Sequence, residues 1–396
     1  MNGKKWIKIW GTTFITLSLF LGGFNYLVDP YTIFYTNNLQ KYLHNKYRIT
    51  NSIVLKTQQF DTLIIGTSRT QGALDTHNNN LQGNTYNVSM SGSNVYEIEK
   101  VFDFIIKNQN HLDTIIYGVD FLTFSDKRYP GEQFKESLFN QENNIYNVLF
   151  INLFSISTTK ESLKTIIYNL MGKESNYIHG YIKNKQPSCK QLQKSFKKIL
   201  TNNFLISPET YGCYYNSNER LELFNNILKL VYKKNIKLKL FIPPLQYRQY
   251  IALYHLGLLD IYLEWIKDIA NKVDKINKIH KSNLIELYDF SGINYITTEE
   301  IPKNENEKMQ YYLESSHYTS TAGDVILDRL YGKNDFGIKL NDIDIDTYIS
   351  NKKKNMMNFF NYKSDTVSEI KDLFIQTIPQ RKEKCSKYKN VFTKME

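Results

Sequence analysis

Residues 61–69 read Asp61-Thr62-Leu63-Ile64-Ile65-Gly66-Thr67-Ser68-Arg69. A short apolar run that ends in glycine is the pattern of a strand buried on both faces and feeding a tight turn. Working outward, a second run from Tyr86 to Met90 leads into Ser91-Gly92-Ser93-Asn94, again a strand running into a loop. Val95, Ile98, Val101, Phe102, Ile105 and Ile106 then recur at helical spacing with Asn94 placed to cap them, and Asp113 to Val119 reads as a third buried strand. Strand, helix, strand is the order of right-handed crossover units, so the spacing predicts an α/β fold with a parallel sheet.

The alternation resumes downstream, with a helix over 219–233, a strand over 237–242 ended by Pro243-Pro244, a helix over 259–273 and a strand over 284–289. Ala322, Val325, Ile326 and Leu330 have helical spacing behind Thr319 or Ser320 as cap, which leaves His317 in the loop just before a helix. The stretch from about 129 to 218, rich in Asn, Lys and Tyr, reads as a helical insertion or lid. Past 335 the chain is basic and polar, with a helical pattern over 344–360 and poor packing expected from about Lys363.

The long uncharged apolar run is Ile9 to Val28, and about 20 helical residues match the hydrocarbon thickness of a bilayer. Lys4, Lys5 and Lys8 precede it, so the positive-inside tendency predicts a single pass with the N-terminus in the cytoplasm and the rest periplasmic or extracellular. A cleaved leader is the rival reading, but the small-x-small cleavage pattern is missing from Asn25-Tyr26-Leu27-Val28-Asp29-Pro30. The expected organisation is therefore a basic stub over 1–8, a membrane anchor over 9–28, an α/β domain over 29–335 with its insertion at about 129–218, and a basic extension over 336–396.

With 396 residues and 41% hydrophobic content the chain can bury a sizeable core and is too apolar for a disordered class. Cys189, Cys213 and Cys385 lack CxxC spacing or neighbouring His pairs, which argues against a zinc site, and no cofactor is expected. A Cys189–Cys213 bridge is permitted in an oxidising compartment. The net charge of +11 suits anionic glycans or headgroups, and no nucleic-acid motif accompanies it. The clusters Lys352 to Lys354 and Arg381 to Lys384 read as solvated faces.

Chemistry concentrates at the strand ends. Ser68 stands on the turn after the first core strand, where open α/β sheets place ligands, and a serine hydroxyl becomes a nucleophile only beside a base. His317, in the last loop of the same alternation, is the candidate base. Either residue alone has a bland reading, Ser68 as a helix cap; their joint placement, with Gly92 and Asp120 at intermediate strand ends, favours catalysis.

These segments resemble the SGNH (GDSL-like) hydrolase superfamily, particularly its membrane-anchored branch near the alginate O-acetylation and D-alanyl-lipoteichoic-acid transfer proteins. Gly66-Thr67-Ser68-Arg69 is similar to the nucleophile block, Asn87-Val88-Ser89-Met90-Ser91-Gly92 to the block with the oxyanion glycine, Gly118-Val119-Asp120-Phe121 to the third block, and Glu314-Ser315-Ser316-His317 to the block with the catalytic histidine. The resemblance implies a three-layer sheet flanked by helices, with Ser68, His317 and Glu314 as the catalytic set. Glu314 replaces the usual aspartate, and Asp120 stands where the family carries an asparagine donor. The Ser68 and Gly92 amides, helped by Asn94 or Arg69, would then hold the oxyanion, while Asp120 would bind backbone amides of the loop. The implied activity is O-acetylation of a cell-surface or exported polysaccharide, with a multispanning membrane acyltransferase as donor partner. An esterase (deacetylase) of the same fold and a non-catalytic glycan-binding or assembly module are the alternatives.

Overall fold

The computed structural model describes residues 3–36, 42, 44, 46–304 and 306–387. The first two residues of the basic stub and residues 388–396 of the C-terminal extension lie outside the described residues. In chain order the helices are α1 (Gly3–Val28), α2 (Tyr47–Thr57), α3 (Ser68–Ala73), α4 (Val95–Asn108), α5 (Ile145–Leu153), α6 (Ile156–Leu170), α7 (Cys189–Ile199), α8 (Asn218–Lys234), α9 (Tyr247–His255), α10 (Leu259–His280), α11 (Ser320–Leu330), α12 (Ile345–Tyr362) and α13 (Ser364–Lys387). The chain divides into two compact units, Met1–Gln58 with Glu132–Ile178, and Gln59–Gly131 with His179–Glu396. The polar middle stretch read as one insertion over 129–218 is thus shared between the units.

In the first unit α1 is long and apolar enough to cross a membrane, and only 6% of its most apolar window is buried within the protein. Its C-terminal turns pack against α5 and α6. Asn25 is fully buried there, and its amide donates to the Leu153 carbonyl at 2.9 Å and the Thr159 hydroxyl at 3.0 Å.

The second unit is built on a six-stranded sheet, β1 (Thr62–Ile65), β2 (Thr85–Asn87), β3 (Thr114–Gly118), β4 (Lys237–Ile242), β5 (Ile285–Asp289) and β6 (Ile338–Lys339), in the order β2-β1-β3-β4-β5-β6. The first five strands are parallel, with Ile64 facing Asn87 on one side and Ile116 on the other, and β6 closes the edge antiparallel to β5. Burial of β1 and β3 on both faces explains their unbroken apolar runs. After β1 the chain steps outward to β2 and then returns past β1 to β3, so the strand order reverses between β1 and β3. That switch point, at the carboxyl ends of the strands, is where a doubly wound sheet leaves a crevice.

Helices flank the sheet, α4 against α8, α10 against α8 and α12, and α11 against α3. The α3–α11 contact is close, because a Cβ at Gly323 would run into the Ala73 carbonyl. The C-terminal stretch departs from the expected poor packing: α13 lies against α9 and the π-helical turn Leu200–Ile206, burying Ile370 and Leu373. It is also tied covalently, since Cys213 bonds Cys385 while Cys189 stays buried and free, in place of the Cys189–Cys213 pairing. Lys352 is not on a solvated face either; its ammonium is buried and donates to Asp289 at 2.9 Å and the Ser291 carbonyl at 2.8 Å, joining α12 to the end of β5.

Candidate active site

Two short helices bring the site together. Thr67 caps α3, its hydroxyl accepting from the Arg69 amide at 3.3 Å, so Ser68 is the first helical residue at the carboxyl end of β1. Thr319 caps α11, its side chain accepting from the Ala322 amide, so His317 stands two residues before the cap. Because α3 and α11 pack closely, the residues at their N-terminal ends face one another. Ser68 Oγ lies 2.9 Å from His317 Nε2.

The histidine loop is over-determined. The Leu313 amide donates to the His317 carbonyl at 2.9 Å, Tyr312 bridges Tyr318, and both tyrosine rings are fully buried. Glu314 folds back under the ring: one carboxylate oxygen accepts from the His317 amide at 2.8 Å and from Nδ1, the other from the Ser316 amide at 2.8 Å. The extra methylene of glutamate is absorbed by this turn. With Nδ1 donating to Glu314, Nε2 is left as the acceptor facing Ser68.

Backbone geometry supplies free donors. Gly92 adopts φ +71°, a conformation other residues resist, and its loop is pinned to β1 by the Met90 amide donating to the Gly66 carbonyl at 3.0 Å. Among the described residues the amides of Ser68 and Gly92 donate to no protein acceptor.

Three of the expected site residues have other duties. Arg69 is 3% exposed, and its guanidinium donates to Asp120 at 2.6 Å and to the Ser316 hydroxyl at 3.2 and 3.3 Å, so it braces the Ser68 turn against the His317 loop. Burial opposes its charge, yet Asp120 beside it holds its pKa above the usual arginine range. Asp120 takes its bonds from Arg69 and the Thr67 hydroxyl, in place of the backbone amides expected of it. Asn94 caps α4 in a reciprocal box with Glu97, and its amide donates to the Arg128 carbonyl at 2.7 Å.

The residue without a motif is Arg128. Its Nε donates to the Gly92 carbonyl at 3.2 Å, and the end of its guanidinium sits 3.9 Å from where a Gly92 side chain would begin. No carboxylate lies within ion-pair distance of it among the described residues, and partial burial pushes its pKa down, partly offset by Asp120. The polar stretch around it has no periodicity, so only its nearness to the third strand end could have singled it out.

Among the described residues no cluster of His, Cys, Asp and Glu is arranged to hold a metal. No protein-family model matches the chain, and no curated protein matches it either.

Proposed function

We propose that this chain is a membrane-anchored acyl-transfer enzyme of SGNH-like architecture, with Ser68 as nucleophile, His317 as general base and acid, and Glu314 as the group that orients the imidazole. The observation that carries the reading is the line from Ser68 Oγ to His317 Nε2 at 2.9 Å, continued from Nδ1 to the Glu314 carboxylate. A serine and histidine held this way by two helix caps and a buried carboxylate exceed what a binding module requires.

In the proposed reaction Ser68 Oγ attacks an ester carbonyl while its proton passes to His317 Nε2. The developing oxyanion meets the open amides of Ser68 and Gly92. Collapse expels the alcohol, protonated by His317, and leaves an acyl-serine; an incoming hydroxyl then gives its proton to His317 and takes the acyl group. A sugar hydroxyl as acceptor makes O-acetylated polysaccharide, the product favoured by the family resemblance and by the basic charge; water as acceptor makes an esterase. In this reading α1 anchors the chain in the cytoplasmic membrane with the catalytic unit outside, and the acyl donor arrives through a multispanning membrane acyltransferase.

The test is p-nitrophenol release from p-nitrophenyl acetate by the purified chain with and without glycan oligosaccharides, against Ser68→Ala and His317→Ala. Turnover lost in both variants, with acetylated oligosaccharide among the wild-type products, is the expected result. A wild type that is no faster than its variants, and that fluorophosphonate leaves unlabelled while it binds glycan, would overturn it.

A further inference from the structure

Helices α5 and α6 have their polarity inside out. The residues buried along α6 are Thr158, Ser162 and Thr165, all fully covered, whereas Ile156, Leu163, Ile167 and Leu170 are 51–84% exposed. On α5, Phe150 and Ile151 are likewise exposed, while Asn152 is buried together with Val148. A helix in water hides its apolar stripe, so small polar residues inside and large apolar residues outside mark an element whose solvent is hydrocarbon.

The position of the hairpin identifies that solvent. Its elbow packs on the last two turns of α1: the Phe154 ring lies 2.8 Å from where a Gly22 side chain would begin, and Asn25 bonds Leu153, Thr159 and, at 3.0 Å, the Ser162 hydroxyl. Gly22 is six residues before the end of the helix, which at about 1.5 Å per residue places it roughly 9 Å inside the end of the span. An elbow bound at that depth lies within the leaflet, and the exposed face of α5–α6 continues the apolar sheath of α1, where Leu17, Leu19, Phe20 and Leu27 are also exposed. From Ile145 to Met171 the charged residues are Lys160, Glu161 and Lys164, grouped within about one turn, with Lys164 paired to Glu161 at 2.6 Å. Lysines so placed can hold their ammonium groups among lipid phosphates while their stems stay in the apolar layer.

We infer that the α5–α6 hairpin is a second membrane-binding element, seated in the lipid leaflet at the C-terminal end of the α1 span. This rests on α1 crossing the bilayer, and the geometry points to lipid, because the hairpin that exposes these apolar side chains is packed directly on the C-terminal turns of the span. It lies at the boundary of headgroups and acyl chains, where amphipathic helices bury their apolar face.

The full chain, reconstituted in phosphatidylethanolamine and phosphatidylglycerol vesicles with a phospholipid carrying a diazirine in its acyl chain, tests this by irradiation and peptide mapping. Peptides from 145–171 should take up carbene label within roughly three-fold of those from 9–28, and about ten-fold above those of α8, as expected for lipid-facing rather than water-facing helices. Label on α1 with none on 145–171 overturns the inference while sparing the span, and is the result if the face is reserved for a protein. Label on neither overturns both. A Phe150→Glu, Ile167→Glu chain, altered at exposed positions only, should keep the α1 label and lose most of that on the hairpin; unchanged hairpin label would mean proximity to the span alone and would also overturn the inference.

Discussion

Arg69 follows Ser68 in sequence but turns away from it, pairing with Asp120 at 2.6 Å where both side chains are almost sealed from solvent at 3% and 1% exposure. The pair joins the end of β1 to the end of β3, the two strands on either side of the switch point, and through Ser316 it reaches the histidine loop. A buried cation and anion of this kind depend on each other, since either one alone would be left charged without water or a partner.

Removing one partner should therefore be costly. Asp120→Ala is expected to lower stability by about 3–5 kcal/mol, and a double-mutant cycle with Arg69→Ala should show strong coupling. Urea unfolding of the four chains measures this; additive losses would mean the two residues act separately.

The role proposed for Glu314 is separable from that proposed for Ser68. Glu314→Gln keeps the shape but can donate toward Nδ1, favouring the wrong tautomer, so turnover should fall by roughly 10³- to 10⁴-fold with KM little changed, whereas Ser68→Ala should remove it to background. Steady-state kinetics on p-nitrophenyl acetate decide the matter. Undiminished Glu314→Gln activity would exclude an orienting role.

Arg128 presents guanidinium donors beside Gly92, and among the described residues no carboxylate lies within ion-pair distance of it. Arg128→Ala should raise KM for an anionic oligosaccharide acceptor by about ten-fold and steepen no salt dependence, while KM for a neutral ester stays within roughly two-fold. Equal effects on both substrates would assign Arg128 to loop support alone.

Burial holds the His255 imidazole below the usual histidine range, the Val367 carbonyl opposing and Lys371 adding to the depression. A base with a lowered folded pKa is neutral in the native state and binds its proton more readily once unfolded, so stability is present above about pH 6.5 and declines as pH falls below it. His255→Gln should flatten the slope of Tm between about pH 6.5 and 5 by a degree or two, read by scanning calorimetry.

Much of this was readable from residues alone, and the exceptions share a cause. Leu63–Ile65 and Leu240–Ile242 announce themselves because a strand covered on both faces is apolar, and Ser68 and His317 stand out at a strand end and before a helix cap, whereas Glu314 was named only through the family resemblance. What escaped needs knowledge of neighbours distant in sequence. The Arg69–Asp120 pairing exists because β1 adjoins β3, the Cys213–Cys385 bond because α13 returns to the sheet unit, and the burial of Lys352 because α12 crosses the end of β5. In α6 the polarity pattern was present, but that its Thr158, Ser162 and Thr165 face is the buried one depends on how α1 packs against it.

Cys213–Cys385 spans 172 positions and, in order of synthesis, its second thiol follows every strand of the sheet. The bond therefore cannot close until every strand of the sheet has been made. Once closed, it makes a covalent ring of β4, β5, β6 and the histidine loop, so a protease that cuts anywhere between the two cysteines leaves the pieces joined. A single cut between the two cysteines therefore leaves Ser68 and His317 in one covalently joined molecule.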